Sequence, residues 1–220
     1  MKRFFSYLFL VLFVFSWSVN YAADKKDEKN VQLKNVVLKG TIPPHSFSTK
    51  DAYLEESFEG TFPPTGWTLE PGTGDDWQQD DGTTHGPGSV VDGSYAIYFN
   101  DYSYSSGTSA SIITPAIDLS SATAPQLDFY YWDGSGSDFV QVMISTDDSN
   151  YTDIFDTPAE VDSWTKFTVP LSDYVGQTVK IKFVGTSVYG YSNPHIDLVT
   201  VAEAPTEPIM TINYDSANFG

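Results

Sequence analysis

The sequence predicts an all-β domain built as a two-sheet sandwich or jelly roll, on three observations. Apolar side chains recur at every second position through the middle of the chain. Short clusters of Gly, Ser, Asp, Asn and Pro break these runs at regular intervals. No stretch between them holds the three-to-four-residue apolar period of an amphipathic helix. Period-two patterning marks strands with one buried face, and many such strands with turn-rich breaks indicate two packed sheets.

The elements follow in order. Phe58, Trp67 and Trp77 open the region among Gly and Pro residues. Leu127, Phe129 and Tyr131 alternate with Asp128, Tyr130 and Trp132. Val140, Val142 and Ile144 alternate with Phe139, Gln141 and Met143. Phe167 and Val169 alternate with Lys166 and Thr168, and Val179, Ile181 and Phe183 with Lys180 and Lys182. The turn clusters are Asp133-Gly134-Ser135-Gly136-Ser137, Asp147-Asp148-Ser149-Asn150 and Pro170 to Gly176. A closing strand, His195-Ile196-Asp197-Leu198-Val199, completes the set.

Around this core the sequence divides further. Residues 1–23 read as a secretory signal peptide: Lys2 and Arg3, an apolar run from Phe4 to Trp17, then Ala22-Ala23 before the charged Asp24-Lys25-Lys26. That run is shorter than the roughly 20 residues a bilayer span needs, so cleavage and no membrane insertion are expected. Residues 24–52 read as a linker or N-terminal extension, 53–202 as the β-domain and 203–208 as a Pro-rich linker. Residues 209–220, with Ile209, Thr211 and Asn213 alternating with Met210, Ile212 and Tyr214, read as the start of a truncated immunoglobulin-like domain.

Composition narrows the function. There is no cysteine, which excludes disulfides, thiolate metal sites and a cysteine nucleophile. Removal of Lys2 and Arg3 leaves 9 basic residues against 29 acidic ones, net −20, and no arginine. Such a chain is a poor partner for nucleic acid or anionic sugars and suits divalent cations and neutral ligands. The carboxylate spacing of laminarinase-type glycosidases, a His-x-x-x-His pair, an EF-hand loop and a Gly-x-Ser-x-Gly turn are all absent, so no enzyme is expected. Asp75, Asp76, Asp80 and Asp81 with His85 read as a solvated loop. Tyr102, Tyr104, Tyr189 and Tyr191, flanked by Gly, Ser and Asn, read as an adaptable ligand-binding surface, since flat rings with a polar edge stack on sugars or pack on protein partners.

Several segments, taken in order, carry a family resemblance: ESFEGTFPPTGW (56–67), Gly74-Asp75-Asp76-Trp77, Gly93-Ser94-Tyr95, Ile113-Thr114-Pro115-Ala116-Ile117-Asp118-Leu119, Leu127 to Tyr131, Trp164-Thr165-Lys166 and Leu171-Ser172 through Gly176 to Val179. The chain resembles the cleaved-adhesin, or choice-of-anchor J, domains of gingipain haemagglutinin regions. The resemblance implies a MAM-like, two-sheet antiparallel jelly roll, exported or displayed on the cell surface, with first and last strands adjacent. It implies a calcium site at Glu59, Asp92 and Asp197; the family's closing strand often carries two adjacent acids, and here Asp197 is followed by Leu198. The expected function is a calcium-stabilised adhesion module contacting a glycan or matrix protein. Alternatives are a carbohydrate-binding module of a larger secreted enzyme and a purely structural spacer.

Overall fold

A computed structural model describes residues 52–71, 76–189 and 191–205. The signal peptide, nearly all of the 24–52 extension and the 209–220 strand lie outside these residues. The described chain is a sandwich of two six-stranded sheets. Its strands are β1 (Leu54–Glu56), β2 (Thr68–Glu70), β3 (Trp77–Asp80), β4 (Ala96–Phe99), β5 (Ser109–Ile113), β6 (Ile117–Asp118), β7 (Pro125–Asp133), β8 (Phe139–Ser145), β9 (Thr152–Asp156), β10 (Val161–Pro170), β11 (Thr178–Thr186) and β12 (His195–Glu203). Its helical content is two single 3-10 turns, Asp101–Ser103 and Ser172–Tyr174.

The first sheet runs β10-β7-β12-β4-β3, with β1 also paired to β12; the second runs β2-β5-β11-β8-β9, with β6 also paired to β11. Every pairing is antiparallel. The first and last strands are adjacent as expected, with Leu54 opposite Val201 and Glu56 opposite Val199. This is the two-sheet antiparallel jelly-roll sandwich that the sequence predicts.

The period-two pattern becomes the core. Leu127, Phe129 and Tyr131 of β7 and Val140, Val142 and Ile144 of β8 are buried, as are Val179, Ile181 and Phe183 of β11. Phe129 sits at the centre: its ring meets Phe183 edge-on at 5.5 Å between centroids and Phe155 at 6.2 Å, and lies tilted to Phe167 at 5.9 Å. Aromatic rings packed edge to face gain beyond their buried area. Not every aromatic residue near a loop is a surface residue: Trp77, Tyr98 and Phe99 are buried because they lie on β3 and β4, whose side chains face protein on both sides.

In β12 the pairing with β7 slips between Asp197 and Thr200, a bulge in which Leu198 has a φ of 49°. Up to Asp197 the strand alternates regularly, with Ile196 in the core and His195 and Asp197 buried under the chain that crosses the other face; the extra residue then shifts the core row to Val199 and Val201.

Replacing Phe129 by Ala should lower stability by roughly 3–5 kcal/mol through the lost transfer energy and the cavity left behind. Val175→Ala, at an exposed turn, should cost less than about 0.5 kcal/mol. Urea unfolding monitored by tryptophan fluorescence checks both.

Candidate functional site

The chain between β3 and β4 is a long strap that folds back over the outer face of the first sheet and is fastened along its length. Near its C-terminal end, Asp197 Oδ2 accepts the backbone N–H groups of Val91 (2.7 Å) and Asp92 (3.0 Å), while its Oδ1 accepts the N–H of Leu198 (2.7 Å). Glu59 Oε1 accepts the next two, Ser94 (2.8 Å) and Tyr95 (2.7 Å). Gly93 lies between them at a φ of 64°, and a Cβ there would stand 2.2 Å from the Glu59 carboxyl carbon. Glycine is required at this position both for the left-handed backbone and for the close approach.

Further along, Trp164 Nε1 donates to Ser89 O (3.1 Å). Asp80 holds the strap's start by accepting from Gly82 N (2.8 Å) and Thr84 N (2.7 Å). Burial opposes charge on Asp80, but His195, Thr84 and Gly82 outweigh it and hold the carboxyl well below the usual range. Beneath the strap lies His195, fully buried, stacked on Tyr98 at 5.3 Å and met edge-on by Trp132 at 5.8 Å and Trp164 at 6.4 Å. Its Nδ1 is 2.7 Å from Asn193 O, and its Nε2 is 3.4 Å from Asp80 Oδ1. The expected solvated loop is thus in part a structural one, because Asp80 is a strand residue whose carboxylate organises the turn that follows.

At the far end of the strap three loops are tied together. Asn193 donates to His85 O (2.9 Å) and Thr84 O (3.0 Å) and accepts from Tyr102 N (2.9 Å). Ser187 Oγ donates to Tyr104 O (3.1 Å), and Gly107 N donates to Ser187 O (2.7 Å). The rings of His85 and Tyr102 stack at 3.6 Å and 12°. On these loops Tyr102, Tyr189 and Tyr191 are 49, 74 and 82% exposed, the last two among the most open large side chains described. Tyr104 is half-buried, held against Ser187 through its carbonyl. The structure therefore brings the predicted tyrosines to one loop cluster.

The predicted metal trio also meets at one loop, but its oxygens are engaged differently from a cation cage. Five backbone N–H groups already supply positive potential to Asp197 and to Glu59 Oε1. What remains for a cation is Glu59 Oε2 and the Asp92 carboxylate, both on exposed residues. Burial, with the nearby Asp92 charge adding to it, pushes the Asp197 carboxyl up, against the pull of its three N–H donors. Among the described residues no group of three or more Asp, Glu or His side chains closes around a point as a ready-made metal cage.

A different acidic group was not expected. Asp101, Asp133 and Asp138 are all fully buried at the same end as the tyrosine loops. Asp133 accepts from Ser192 Oγ (2.7 Å) and Asp138 from Val188 N (3.1 Å). Desolvation, with the negative charge of Asp101 adding to it, pushes the Asp133 carboxyl up to about 6 and that of Asp138 above its usual range as well. The sequence did carry a signal: Asp133 stands two residues beyond core Tyr131, and Asp138 two before core Val140, so each continues a buried row. Reading 133–137 as a plain turn missed this because composition outweighed periodicity.

With this geometry in hand, the comparisons concern the fold. No protein-family model matches the chain, and no curated protein matches it. Among solved structures, the K1 cleaved adhesin domain of Lys-gingipain from Porphyromonas gingivalis W83 matches with a TM-score of 0.54 at 19% identity, covering 69% of this chain and 98% of that one. The K3 cleaved adhesin domain of the same protein matches with a TM-score of 0.53 at 19% identity, covering 69% and 97%. The module TmCBM61 in complex with β-1,4-galactotriose matches with a TM-score of 0.51 at 17% identity, covering 70% and 99%. The jelly roll of this chain is therefore the one shared by cleaved adhesin domains and a carbohydrate-binding module.

Asp197→Ala should destabilise by roughly 3 kcal/mol, since three backbone donors lose a charged acceptor, and hydrogen exchange at Val91 and Asp92 should accelerate. The buried acids set a pH dependence of the opposite sign to ordinary acid denaturation. A folded carboxyl raised to about 6 stabilises fully below the unfolded value near 4 and loses that contribution as pH rises through 6. In chelator-containing buffer the melting temperature should fall by several degrees between pH 5 and pH 8, and Asp133→Asn should flatten that decline.

Proposed function

We propose that this domain is an extracellular binding module that acts by contact, without chemistry, and that its ligand is a neutral glycan held on Tyr102, Tyr189 and Tyr191. The observation that carries this reading is the exposure of three tyrosine rings on loops that are themselves tied by Asn193, Ser187 and His85. Exposed rings on tethered loops lose little freedom when a sugar stacks on them, and their hydroxyl edges meet its hydroxyl groups. The acidic, arginine-free composition favours an uncharged sugar over a sulfated or phosphorylated one. Likeness to a module bound to β-1,4-galactotriose lends support to the sugar class.

Export follows in this reading from residues 1–23, and no helix among the described residues is long and apolar enough to cross a membrane. Calcium, implied by the family resemblance, enters as a structural ion on the strap: Glu59 Oε2 and the Asp92 carboxylate would hold it, beside the Asp197 clamp. Hard oxygen donors suit calcium, and an exposed pair backed by water makes a weak site.

The test is binding of neutral oligosaccharides, β-1,4-galactotriose among them, measured by calorimetry. Tyr189→Ala with Tyr191→Ala should weaken binding by tenfold or more, a loss of about 1.4 kcal/mol, while leaving the melting temperature unchanged because both side chains are exposed. Retention of full affinity in the double variant, or no binding across the panel, would leave a protein-contacting or spacer module as the better account. For the ion on the strap, excess calcium should slow exchange at Ser94 and Tyr95 in the wild type and not in Asp92→Asn.

A further inference from the structure

Tyr189 and Tyr191, 74 and 82% exposed, each stand next to a residue fastened to a buried acid. Before Tyr189, Val188 donates its backbone N–H to Asp138 Oδ1 (3.1 Å). After Tyr191, Ser192 Oγ donates to Asp133 Oδ1 (2.7 Å) and accepts from Ser135 N (2.9 Å). Asp133 is the last residue of β7 in the first sheet, and Asp138 directly precedes β8 in the second. Both side chains are fully buried. The most open tyrosines are thus tied, one residue away, to the least accessible carboxyls.

These ties use one oxygen of each acid. Asp133 Oδ2 and Asp138 Oδ2 are buried and accept no hydrogen bond, although Asp133 also draws on the Glu160 backbone. The described lysines, Lys166, Lys180 and Lys182, pair instead with Asp128, Asp148 and Glu70. An ionised carboxylate in this setting is a buried charge with one bare oxygen, whereas a neutral acid leaves only an unfilled polar group. The first costs far more than the second. The ionisable groups acting on the two acids add no positive charge: Asp101 and Glu160 on Asp133, Asp101 and Asp133 on Asp138, with the buried Tyr131 phenol in the field of both. Desolvation, the largest cause, pushes Asp133 up to about 6 and raises Asp138 as well. A neutral carboxyl still accepts the Val188 N–H and the Ser192 hydroxyl through its carbonyl oxygen, so both ties survive protonation.

We propose that Asp133 and Asp138 are positioning residues of the tyrosine surface: as neutral acids they hold Tyr189 and Tyr191 in their binding arrangement, and on ionisation they release them. A charge formed on either acid has to be hydrated. Towards the strands the acids meet packed core, whereas Val188 and the two tyrosines lie at the surface. Water therefore reaches the acids most cheaply by displacing the Val188 and Ser192 contacts. The sign follows from a carboxyl raised by folding: its contribution is full below the unfolded value near 4 and is lost as pH rises through the folded value. Binding is then strongest in a mildly acidic medium and weakens towards alkaline pH. Neither acid touches the ligand; both act through the neighbours of the tyrosines. The consequence for ligand binding rests on the glycan reading above; the loosening of Val188 and Ser192 does not.

The experiment takes the full chain in chelator from pH 5 to pH 8, with hydrogen exchange corrected for its intrinsic rate and calorimetry with β-1,4-galactotriose. Protection at Val188 and Ser192 should fall at least tenfold more than in β11, with a midpoint near pH 6 or above, and galactotriose affinity should fall several-fold with the same midpoint. Asp133→Asn and Asp138→Asn keep the shape and the accepting oxygen but cannot ionise, so each should flatten both profiles. Asp138→Ala removes the acceptor and should lower protection at Val188 across the whole range. Carbon-13 carboxyl shifts of the wild type need no variant: both acids should be neutral at pH 5. The proposal is overturned if either is ionised there, if protection at Val188 and Ser192 is flat from pH 5 to pH 8, or if the decline persists in both Asn variants. A decline confined to Val91 and Asp92 assigns the effect to Asp197 and equally overturns it. Affinity that ignores pH while Val188 and Ser192 loosen removes the positioning role. Loosening with rising pH in a chain that binds no sugar at any pH removes the glycan reading alone.

Discussion

The position of Asp197 on β12, where one carboxylate holds a distant stretch of backbone, is the constraint on which the rest of the arrangement depends. β12 is paired with β1, β4 and β7, so it joins the two chain ends of the domain to the centre of the first sheet. Because the core covers one face of β12 and the strap the other, its regular first half buries Ile196 in the core and His195 and Asp197 under the strap. The slip between Asp197 and Thr200, with Leu198 at a left-handed φ, then moves the core-facing row from Ile196 to Val199 and Val201. Asp197, on the strap side of the strand, thus serves as the acceptor for backbone groups more than a hundred residues away.

From that anchor the strap organises the tyrosine-bearing end. Its course carries it from Asp197 and Glu59, past Trp164, to the loops bearing Tyr102 and Asn193. The His195 ring fills the space beneath it, and a Cβ on Gly86 would stand 2.4 Å from His195 Cε1, so the strap lies directly on the ring. A surface built this way owes its shape to buried polar contacts more than to the apolar core. Such contacts are directional, and in a low-dielectric setting they hold loops in one arrangement.

The buried acids meet the same electrostatic problem with different numbers of donors. Asp197 is buried yet accepts three backbone N–H groups, which offset part of a desolvation that still leaves its carboxyl raised. Asp133 and Asp138 are buried too, and although Asp133 accepts from Ser192 and the Glu160 backbone and Asp138 from Val188, desolvation raises both carboxyls.

Much of the fold was legible from the sequence because burial on a strand has a period of two, and β7, β8 and β11 obey it residue by residue. The sandwich follows from that period; the adjacency of first and last strands and the grouping of Glu59, Asp92 and Asp197 at one loop were implied by the family resemblance instead. The exposure of Tyr189 and Tyr191 agrees with their Gly- and Ser-rich surroundings. What only the tertiary structure decided is how charges are compensated. Whether a carboxylate faces water, backbone N–H groups or another carboxylate depends on which strands become neighbours. Local pattern encodes which face of a strand is buried; pairing across the fold sets what a buried charge meets, and no local signal carries that.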